Sequence, residues 1–382
     1  MVKIKATQWL KKISWRDLFY VFFWIIVWLK LFDIVAVKIV DKWQLFSSYY
    51  DGYRIPASVA AFMPFTLETL QADSSYSIVF TGDSTSGGLL YHHSQAIPAY
   101  LNTALNSQGR PVHTYNLAFS GAHLSEQYLL MKEVIDDTDM VIFPIHYSFF
   151  SGRGYKNSFI SHPELRDFLQ NTNKTDLSLL ELEPQSLINQ LSEKYLGNIW
   201  YTYKVHRLLP YIIFGKPIRF WLRDKVNQKI PLTRLTSSID WLPIDLMQPF
   251  SDQPKEVQQE ILRQNQLLWE NIRPIDKTNI NLQYLVKIGA LANRTSKPFL
   301  AYFVPLDLTT LERNQNFDKN TYMQIIQVAK KTLIDLEIPF IDLNEGNPAK
   351  LSKSDFYNPD HLLPNGNQKV GNYLAKTILN DF

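Results

Sequence analysis

Five short runs with the character of β-strands, separated by stretches of helical character, constrain the fold of this chain more than any other feature. Strands are predicted at 77–80, 112–118, 140–145, 299–305 and 339–343. Helices are predicted over 125–135, 280–293, 321–336 and 368–379. Strands that alternate with helices are typical of a parallel sheet covered by helices on both faces. The sequence therefore predicts a three-layer α/β/α fold around a five-stranded, mainly parallel sheet.

The alternating pattern stops near residue 150 and resumes near residue 278. The stretch between them is rich in aromatic residues, above all at 198–224, which reads NIWYTYKVHRLLPYIIFGKPIRFWLRD. Trp, Tyr and Phe mixed with Lys and Arg are typical of an amphipathic surface at a membrane interface. A buried pair of cap helices would have the same composition, so both interpretations stay open.

These changes of pattern predict four parts of the chain. They are an N-terminal tail with an apolar helix (1–45), a connector (46–76), an α/β domain (77–150 with 275–382) and an inserted cap or partner-binding region (151–274).

The N-terminal region has the features of a membrane anchor. Residues 18–29 read LFYVFFWIIVWL without a charge, and 18–40 is long enough to cross a bilayer although it contains Lys30, Asp33 and Lys38. The basic residues before the run are Lys3, Lys5, Lys11, Lys12 and Arg16. This bias predicts a cytoplasmic N-terminus and an extracytoplasmic remainder. No convincing small-x-small cleavage site follows the apolar core, so an uncleaved signal anchor is expected rather than a signal peptide. The alternative is a buried helix of a soluble domain.

Two charged residues within the apolar stretch need an explanation. Lys30 and Asp33 are three positions apart, so they share one face of a helix. Near the outer interface their charged ends can reach the headgroups, whereas deeper in the membrane they would need a partner such as another membrane protein. The first interpretation is the simpler one.

Charge and cysteine content exclude several classes of function. Thirty-nine basic and 36 acidic residues leave a net charge of +3, without the basic footprint of a nucleic-acid-binding protein. The chain has no cysteine, which excludes disulfides, thiolate metal sites and a cysteine nucleophile. The histidines show no metal-ligand spacing, so neither a metal nor another cofactor is expected.

Polar residues follow several of the predicted strands, where open α/β sheets place their active sites. Gly82-Asp83-Ser84 follows the first strand, and a serine hydroxyl needs a base within hydrogen-bond reach to become a nucleophile. His361 is the candidate base, since it lies in a loop before the last helix and follows an acidic residue. The backbone N–H groups of Ser84 and Gly121 are candidate oxyanion donors. The alternative for Ser84 is a helix N-cap.

This set of residues resembles the SGNH, or GDSL, hydrolase superfamily. Gly82-Asp83-Ser84 is similar to its nucleophile block, Gly121 to its second block, and Asp360-His361 with Pro364 and Gly366 to its C-terminal block. The resemblance covers about 77–150 and 278–382. It implies a catalytic Ser84, His361 and Asp360.

The chain departs from the family pattern at two positions. The family has Asp three residues before the histidine, where this chain has Asn358, so either Asp360 or Asp355 would support His361, or no acid would. The family's third block usually carries an asparagine that donates to the oxyanion, where this chain has His146, Tyr147 and Ser148. These three residues, together with Asp83, Asn358 and His123, are candidate supporting residues.

A signal anchor before such a domain is similar to the arrangement in proteins that esterify cell-envelope polymers, in teichoic acid D-alanylation and alginate O-acetylation. The resemblance implies acyl transfer to a glycan hydroxyl through an acyl-serine, at the outer face of a bacterial plasma (inner) membrane. It also implies an integral-membrane O-acyltransferase as the partner. The alternatives are a stand-alone carbohydrate esterase or deacetylase, and a catalytically degenerate assembly or scaffold protein.

Overall fold

A computed structural model describes residues 14–42, 66–87, 93–150, 192–196, 199–206, 209, 248–269, 275–313 and 317–381. The chain divides into two compact units. The smaller unit combines residues 1–45 with 185–233, and the larger combines 46–184 with 234–382. Most of the predicted insert, including 151–191 and 210–247, lies outside the described residues.

The larger unit is built on a five-stranded sheet in which every neighbouring pair of strands is parallel. The strands are β1 (Tyr76–Phe80), β2 (Val112–Asn116), β3 (Met140–Ile145), β4 (Phe299–Phe303) and β5 (Phe340–Asp342). Their order across the sheet is β2-β1-β3-β4-β5. The predicted α/β class with a five-stranded parallel sheet is therefore confirmed. A two-stranded antiparallel hairpin follows, formed by β6 (Phe356–Asn358) and β7 (His361–Leu362).

Ten helices in the described residues accompany these strands. They are α1 (Trp15–Lys42), α2 (Ser84–Gly87), α3 (Ile97–Ser107), α4 (Leu124–Val134), α5 (Tyr201–Val205), α6 (Lys255–Trp269), α7 (Ile280–Thr295), α8 (Leu308–Glu312), α9 (Lys319–Asp335) and α10 (Pro364–Asp381). Side-chain caps define where several begin: Asn279 accepts the backbone N–H groups of Asn281 and Leu282 at the start of α7, and Asp318 caps α9 in the same way.

Helices cover the sheet on both faces, because successive strand residues point to opposite sides. One face packs against α3 and α10, through a core that includes Ile78, Phe80, Met140, Ile142, Leu300, Tyr302, Leu101, Leu105, Val370 and Leu374. On the other face α7 packs against α4 and α9, and the Lys330 ammonium of α9 lies 5.9 Å from the centre of the Phe303 ring. The alternate strand residues, such as Val79 and Val141, are fully buried on this side.

The structure adjusts the predicted boundaries by a few residues. The predicted strand 112–118 ends at Asn116, whose side-chain oxygen accepts the N–H of Ala118 and turns the chain away from the sheet. The last helix begins at Pro364 rather than at 368, because proline is well suited to the first turn of a helix.

The smaller unit contains α1, whose residues Trp15–Ile39 form a stretch of 25 residues with a mean hydropathy of 2.1. This helix is long and apolar enough to cross a membrane. A signal sequence near the N-terminus can have the same length and composition. Most of its large apolar side chains are exposed, for example Phe22 and Ile34, which does not fit the alternative of a buried helix in a soluble domain.

Candidate active site

The candidate site lies where the strand order of the sheet reverses. From β1 the chain passes to β2 on one side and then returns to β3 on the other side, so the carboxyl ends of β1 and β3 flank a switch point. Open parallel sheets bind ligands in the crevice at such a point. Ser84 follows β1 and His146 follows β3.

A tight turn between β1 and α2 presents Ser84. Gly82 has φ +151°, and a Cβ at this position would lie 2.7 Å from Ser86 Oγ and 2.9 Å from Pro144 Cγ, so no other residue fits. The capping role belongs to Asp83, whose Oδ1 accepts the N–H of Thr85 at 2.9 Å. The Ser84 hydroxyl lies 2.9 Å from His361 Nε2. Ser84 is therefore in contact with the candidate base and is not the N-cap.

The turn is also held from strand β4, which is separated from β1 by β3 in the sheet. The Tyr302 hydroxyl lies 2.5 Å from Ser86 Oγ, and both side chains are fully buried. Phe119 N donates to Gly82 O at 3.0 Å, which fixes the loop after β2 beside the same turn. Ser84 therefore lies on a part of the backbone that is restrained from two sides.

The β6–β7 hairpin carries the histidine and two groups that orient it. His361 Nδ1 lies 2.7 Å from Asp360 Oδ1 and 3.1 Å from Asn358 Oδ1. The same Asn358 oxygen accepts the backbone N–H groups of Asp360 at 3.0 Å and His361 at 2.7 Å, which closes the turn. The amide thus shapes the loop, and the adjacent carboxylate is the nearer partner of the imidazole.

The burial and charge of the pair shift both pKa values. Burial alone would lower the pKa of His361, but the charge and hydrogen bond of Asp360 and the charge of Asp83 outweigh it and raise this pKa above its ordinary value. Burial alone would raise the pKa of Asp360, but His361 and, to a smaller extent, His146 hold it below its ordinary value. An imidazolium at His361 is therefore stabilised.

Asp355, the other candidate acid, has a different role. Its Oδ2 accepts the backbone N–H and hydroxyl of Ser352 and lies 2.7 Å from Lys369 Nζ on α10. These contacts connect the turn before the hairpin to the last helix. Among the candidate acids, Asp360 is the one that contacts His361.

His146 lies on the far side of Asp360 from His361. Its Nε2 is 3.7 Å from Asp360 Oδ2, its Nδ1 is hydrogen-bonded to the Ser148 hydroxyl, and its side chain is almost fully buried. Burial holds the pKa of His146 below its ordinary value and His361 lowers it further, although the charges of Asp83 and Asp360 oppose the shift. Asp360 is thus placed between two imidazoles.

The other members of the third block pack around this group. The Tyr147 ring centre lies 4.5 Å from that of His146, and burial, followed by the charge of Asp360, raises the pKa of Tyr147 well above its ordinary value. The family resemblance suggested an oxyanion donor among His146, Tyr147 and Ser148. In this structure the ring nitrogens of His146 face Ser148 and Asp360. The oxyanion role suggested for these three residues stays a prediction.

The predicted oxyanion donors lie in two adjoining turns. Gly121 is exposed, with φ +79°, two residues after the Phe119 N–H that bonds to Gly82. Within the described parts of the chain, the N–H groups of Ser84 and Gly121 donate to no protein acceptor. His123 follows at the start of α4, and its ring contacts Phe149 edge-on at 6.0 Å. The oxyanion role of Ser84 and Gly121 remains a prediction.

Sequence reasoning missed the residues that support the histidine hairpin from outside. Gln253 Nε2 donates to Tyr357 O at 2.9 Å, and Asp307 N donates to Pro359 O at 2.8 Å. Gln253 belongs to the stretch predicted as the insert, and no motif marks it. The position of Tyr302, two residues after Leu300 on β4, does place it on the same face as the core, and this alternation was the signal available.

The sequence matches no protein-family model and no curated protein. Among solved structures, the chain is similar to a lipase/acylhydrolase from Enterococcus faecalis, with 12% identity over 80% of this chain and 95% of that one and a TM-score of 0.36. It is also similar to a putative lipolytic protein of the G-D-S-L family from Desulfitobacterium hafniense, with 10% identity over 79% and 99% of the two chains and a TM-score of 0.35. A Geobacillus acetyl-xylooligosaccharide esterase gives 11% identity over 82% and 97%, with a TM-score of 0.36.

Proposed function

We propose that this protein is a membrane-anchored, extracytoplasmic enzyme of the SGNH superfamily that transfers acyl groups to or from hydroxyls of a cell-envelope glycan. The observation that carries the proposal is the continuous contact from Ser84 Oγ to His361 Nε2, at 2.9 Å, and from His361 Nδ1 to Asp360 Oδ1, at 2.7 Å. A nucleophile, a base and an orienting acid in contact are the requirement for serine-dependent acyl transfer. Nothing in a purely structural role requires this order of contacts.

The proposed reaction uses these groups in sequence. Ser84 Oγ attacks the carbonyl carbon of an ester while His361 Nε2 takes the hydroxyl proton. The tetrahedral oxyanion is stabilised by the N–H groups of Ser84 and Gly121. His361 then gives the proton to the departing alkoxide oxygen, which leaves an acyl-Ser84. An acceptor hydroxyl loses its proton to His361 Nε2 and attacks the acyl carbon. The bond from this carbon to Ser84 Oγ then breaks, and His361 returns the proton to Ser84 Oγ.

The acid of this proposal differs in position from that of the family pattern. Asp360, which is adjacent to His361, and the Asn358 amide both face Nδ1, and Asp360 is the group that stabilises the imidazolium by charge. This arrangement supports an active enzyme over the catalytically degenerate scaffold that the Asn358 substitution suggested.

The anchor supports an action at the membrane surface. An exposed apolar helix of 25 residues precedes the larger unit, and the basic residues before it favour a cytoplasmic N-terminus. The anchor would hold the enzyme beside an integral-membrane O-acyltransferase that supplies acyl groups from the cytoplasm. The bacterial plasma membrane is the proposed location.

Labelling with a serine-reactive fluorophosphonate tests the catalytic proposal. The full-length protein in detergent micelles is expected to be labelled, whereas Ser84→Ala and His361→Gln are not. Ser107→Ala is the matched control, because Ser107 is an exposed serine at the end of α3 whose hydroxyl donates to Ala104 O. Equal labelling of Ser84→Ala and wild type, or no labelling of folded wild type in native membranes, would contradict an activated Ser84.

A second measurement separates transfer from hydrolysis. The purified chain is given p-nitrophenyl acetate with and without a soluble oligosaccharide, and free acetate and acetylated sugar are quantified together. Transfer predicts acetylated sugar at the expense of free acetate. Acetate alone, at an unchanged rate, would assign the protein to the stand-alone esterases.

A further inference from the structure

Lys30 and Asp33 of the anchor helix have partners within the same chain. Asp33 Oδ1 accepts the backbone N–H of Thr202 at 2.7 Å and its hydroxyl at 2.8 Å. Lys30 Nζ lies 3.3 Å from Asp33 Oδ2 and 3.4 Å from Ile199 O. Sequence reasoning considered the headgroups or another membrane protein, whereas the structure supplies residues 199–202.

Small and apolar residues extend this contact along α1 and α5, which pack against each other. Asp33 is 8% exposed and Ala36, one turn further on, is 3% exposed, although most of the helix is open. On α5, Val205 is fully buried, three positions after Thr202. A polar residue in the outer part of an apolar helix is stabilised by a hydrogen-bonding partner. The hydrogen bonds from Thr202 therefore fix α5 to α1 at the position of Asp33.

This level lies inside the apolar stretch of the anchor. Asp33 precedes the end of that stretch, Ile39, by six residues, which at 1.5 Å per residue is about 9 Å along the helix axis. The Lys30 ammonium contacts Asp33, which lies three residues nearer to this end of the helix, and long basic side chains commonly extend their charged ends toward the interface. Residues in contact with Asp33 therefore lie near the boundary between acyl chains and headgroups.

Residues shortly before α5 expose apolar side chains. Tyr195, Leu196 and Ile199 are 56%, 42% and 71% exposed, within eight residues of Thr202. The Trp200 and Tyr203 rings stack with centres 6.0 Å apart, and aromatic rings of this kind are enriched at membrane interfaces. Exposed apolar side chains on a segment that contacts the anchor helix are suited to a lipid environment.

We propose that residues 195, 196 and 199–203 form a second membrane contact, in which the outer leaflet covers Tyr195, Leu196 and Ile199 while Asp33 and Lys30 hold residues 199–202 in place. The occupant of this surface is lipid acyl chain and headgroup, and not a second protein. The proposal rests on the membrane anchoring proposed above and is independent of the chemistry at Ser84.

The absence of cysteine from the chain makes this proposal directly measurable. A nitroxide spin label is placed on Ile199→Cys in the full-length protein, in nanodiscs of phosphatidylethanolamine and phosphatidylglycerol. Power saturation then compares accessibility to oxygen, which concentrates in lipid, with accessibility to a water-soluble nickel chelate. Ile34→Cys on the exposed face of α1 is the lipid control, and Met323→Cys on α9 is the aqueous control.

The expected result is an oxygen-to-nickel ratio at residue 199 close to that at 34 and several-fold above that at 323. Adding Asp33→Ala is expected to move residue 199 toward the aqueous value and to leave residue 34 unchanged. A lipid value at 34 with an aqueous value at 199 would overturn this proposal alone. An aqueous value at 34 would overturn the anchor itself, and an unchanged ratio at 199 in the Asp33→Ala protein would overturn the role of the Asp33 contact.

Discussion

At the level of single residues, the position of the acid distinguishes this site. A carboxylate adjacent to the histidine reaches Nδ1 because the Asn358 side chain accepts two successive backbone N–H groups and bends the hairpin. Asn358 thus shapes the loop, and Asp360 lies at the tip of the turn, where the second imidazole, that of His146, faces it.

Replacing Asp360 by Asn is expected to reduce kcat by about 10³- to 10⁴-fold, because an amide cannot stabilise the imidazolium that forms during attack. Ester hydrolysis by the purified full-length chain measures this loss. Asp355→Asn is the comparison, since its partners are Ser352 and Lys369, and it is expected to lower thermal stability more than kcat. Equal losses of kcat in the two variants would contradict the assignment.

The pH dependence of kcat/KM should show where His361 titrates. Its pKa is raised, and the base works only when it is neutral, so activity should fall on acidification with a midpoint above the ordinary value of about 6.5. Removing the Asp360 charge removes the main cause of the rise. The midpoint of the residual activity of Asp360→Asn is therefore expected at lower pH, and a midpoint that does not move would contradict this electrostatic origin.

His146 is expected to position Asp360 without contacting substrate. His146→Phe keeps a ring beside Tyr147 and Phe149 but removes the nitrogen 3.7 Å from Asp360. We expect kcat to fall about tenfold, equivalent to roughly 1.4 kcal/mol, with KM unchanged. A change confined to KM would place His146 at the substrate instead.

At the level of elements, the turn between β1 and α2 decides whether Ser84 meets His361. Gly82→Ala would bring a methyl group against Ser86 Oγ and Pro144 in a backbone conformation that alanine avoids. The expected cost is about 1–3 kcal/mol in unfolding free energy, together with loss of fluorophosphonate labelling. Thermal denaturation and labelling of the same preparation measure both.

Gly109 provides the matched control for this change. It also has positive φ, +78°, but an added Cβ would meet no atom within 4 Å. Gly109→Ala should therefore show the backbone cost of about 1 kcal/mol and keep full labelling. Equal loss of labelling in both variants would show that the effect is not specific to the nucleophile turn.

The elements also show which parts of the structure the sequence could predict. The limits of β3 follow from an apolar run that ends at a histidine, and the predicted 140–145 agrees with the structure. The predicted strand 112–118 ends in the apolar residues Leu117 and Ala118, yet the Asn116 side chain ends the strand earlier. A side-chain contact of this kind cannot be read from a hydropathy pattern.

The same distinction applies to the site. The motifs predicted Ser84 and His361 because each lies next to an element with a clear periodic pattern. The choice between Asp355 and Asp360 depends on the geometry of a short hairpin, which composition does not determine. The contact between Asp33 and Thr202 joins residues 169 positions apart, and no local signal predicts it.

At the level of the whole molecule, the anchor and the sheet belong to different compact units. The proposed topology predicts opposite accessibility for two single-cysteine variants in intact cells. Ser354→Cys, in the turn before the histidine hairpin, should react with a membrane-impermeant maleimide, whereas Lys5→Cys should react only after the cells are opened. Reaction of Lys5→Cys with the maleimide in intact cells would contradict the cytoplasmic N-terminus.

The parallel sheet and the distance along the chain between Ser84 and His361 also set a time order during synthesis. The two residues are 277 positions apart, which at 5–20 residues per second separates their emergence by roughly 14 to 55 s. The strands β2 to β5 are made during that interval, so the whole five-stranded sheet is synthesised before the proposed base of Ser84. The proposed catalytic group is therefore incomplete until His361 has been made, and a partly synthesised chain that holds Ser84 lacks the base that would activate it.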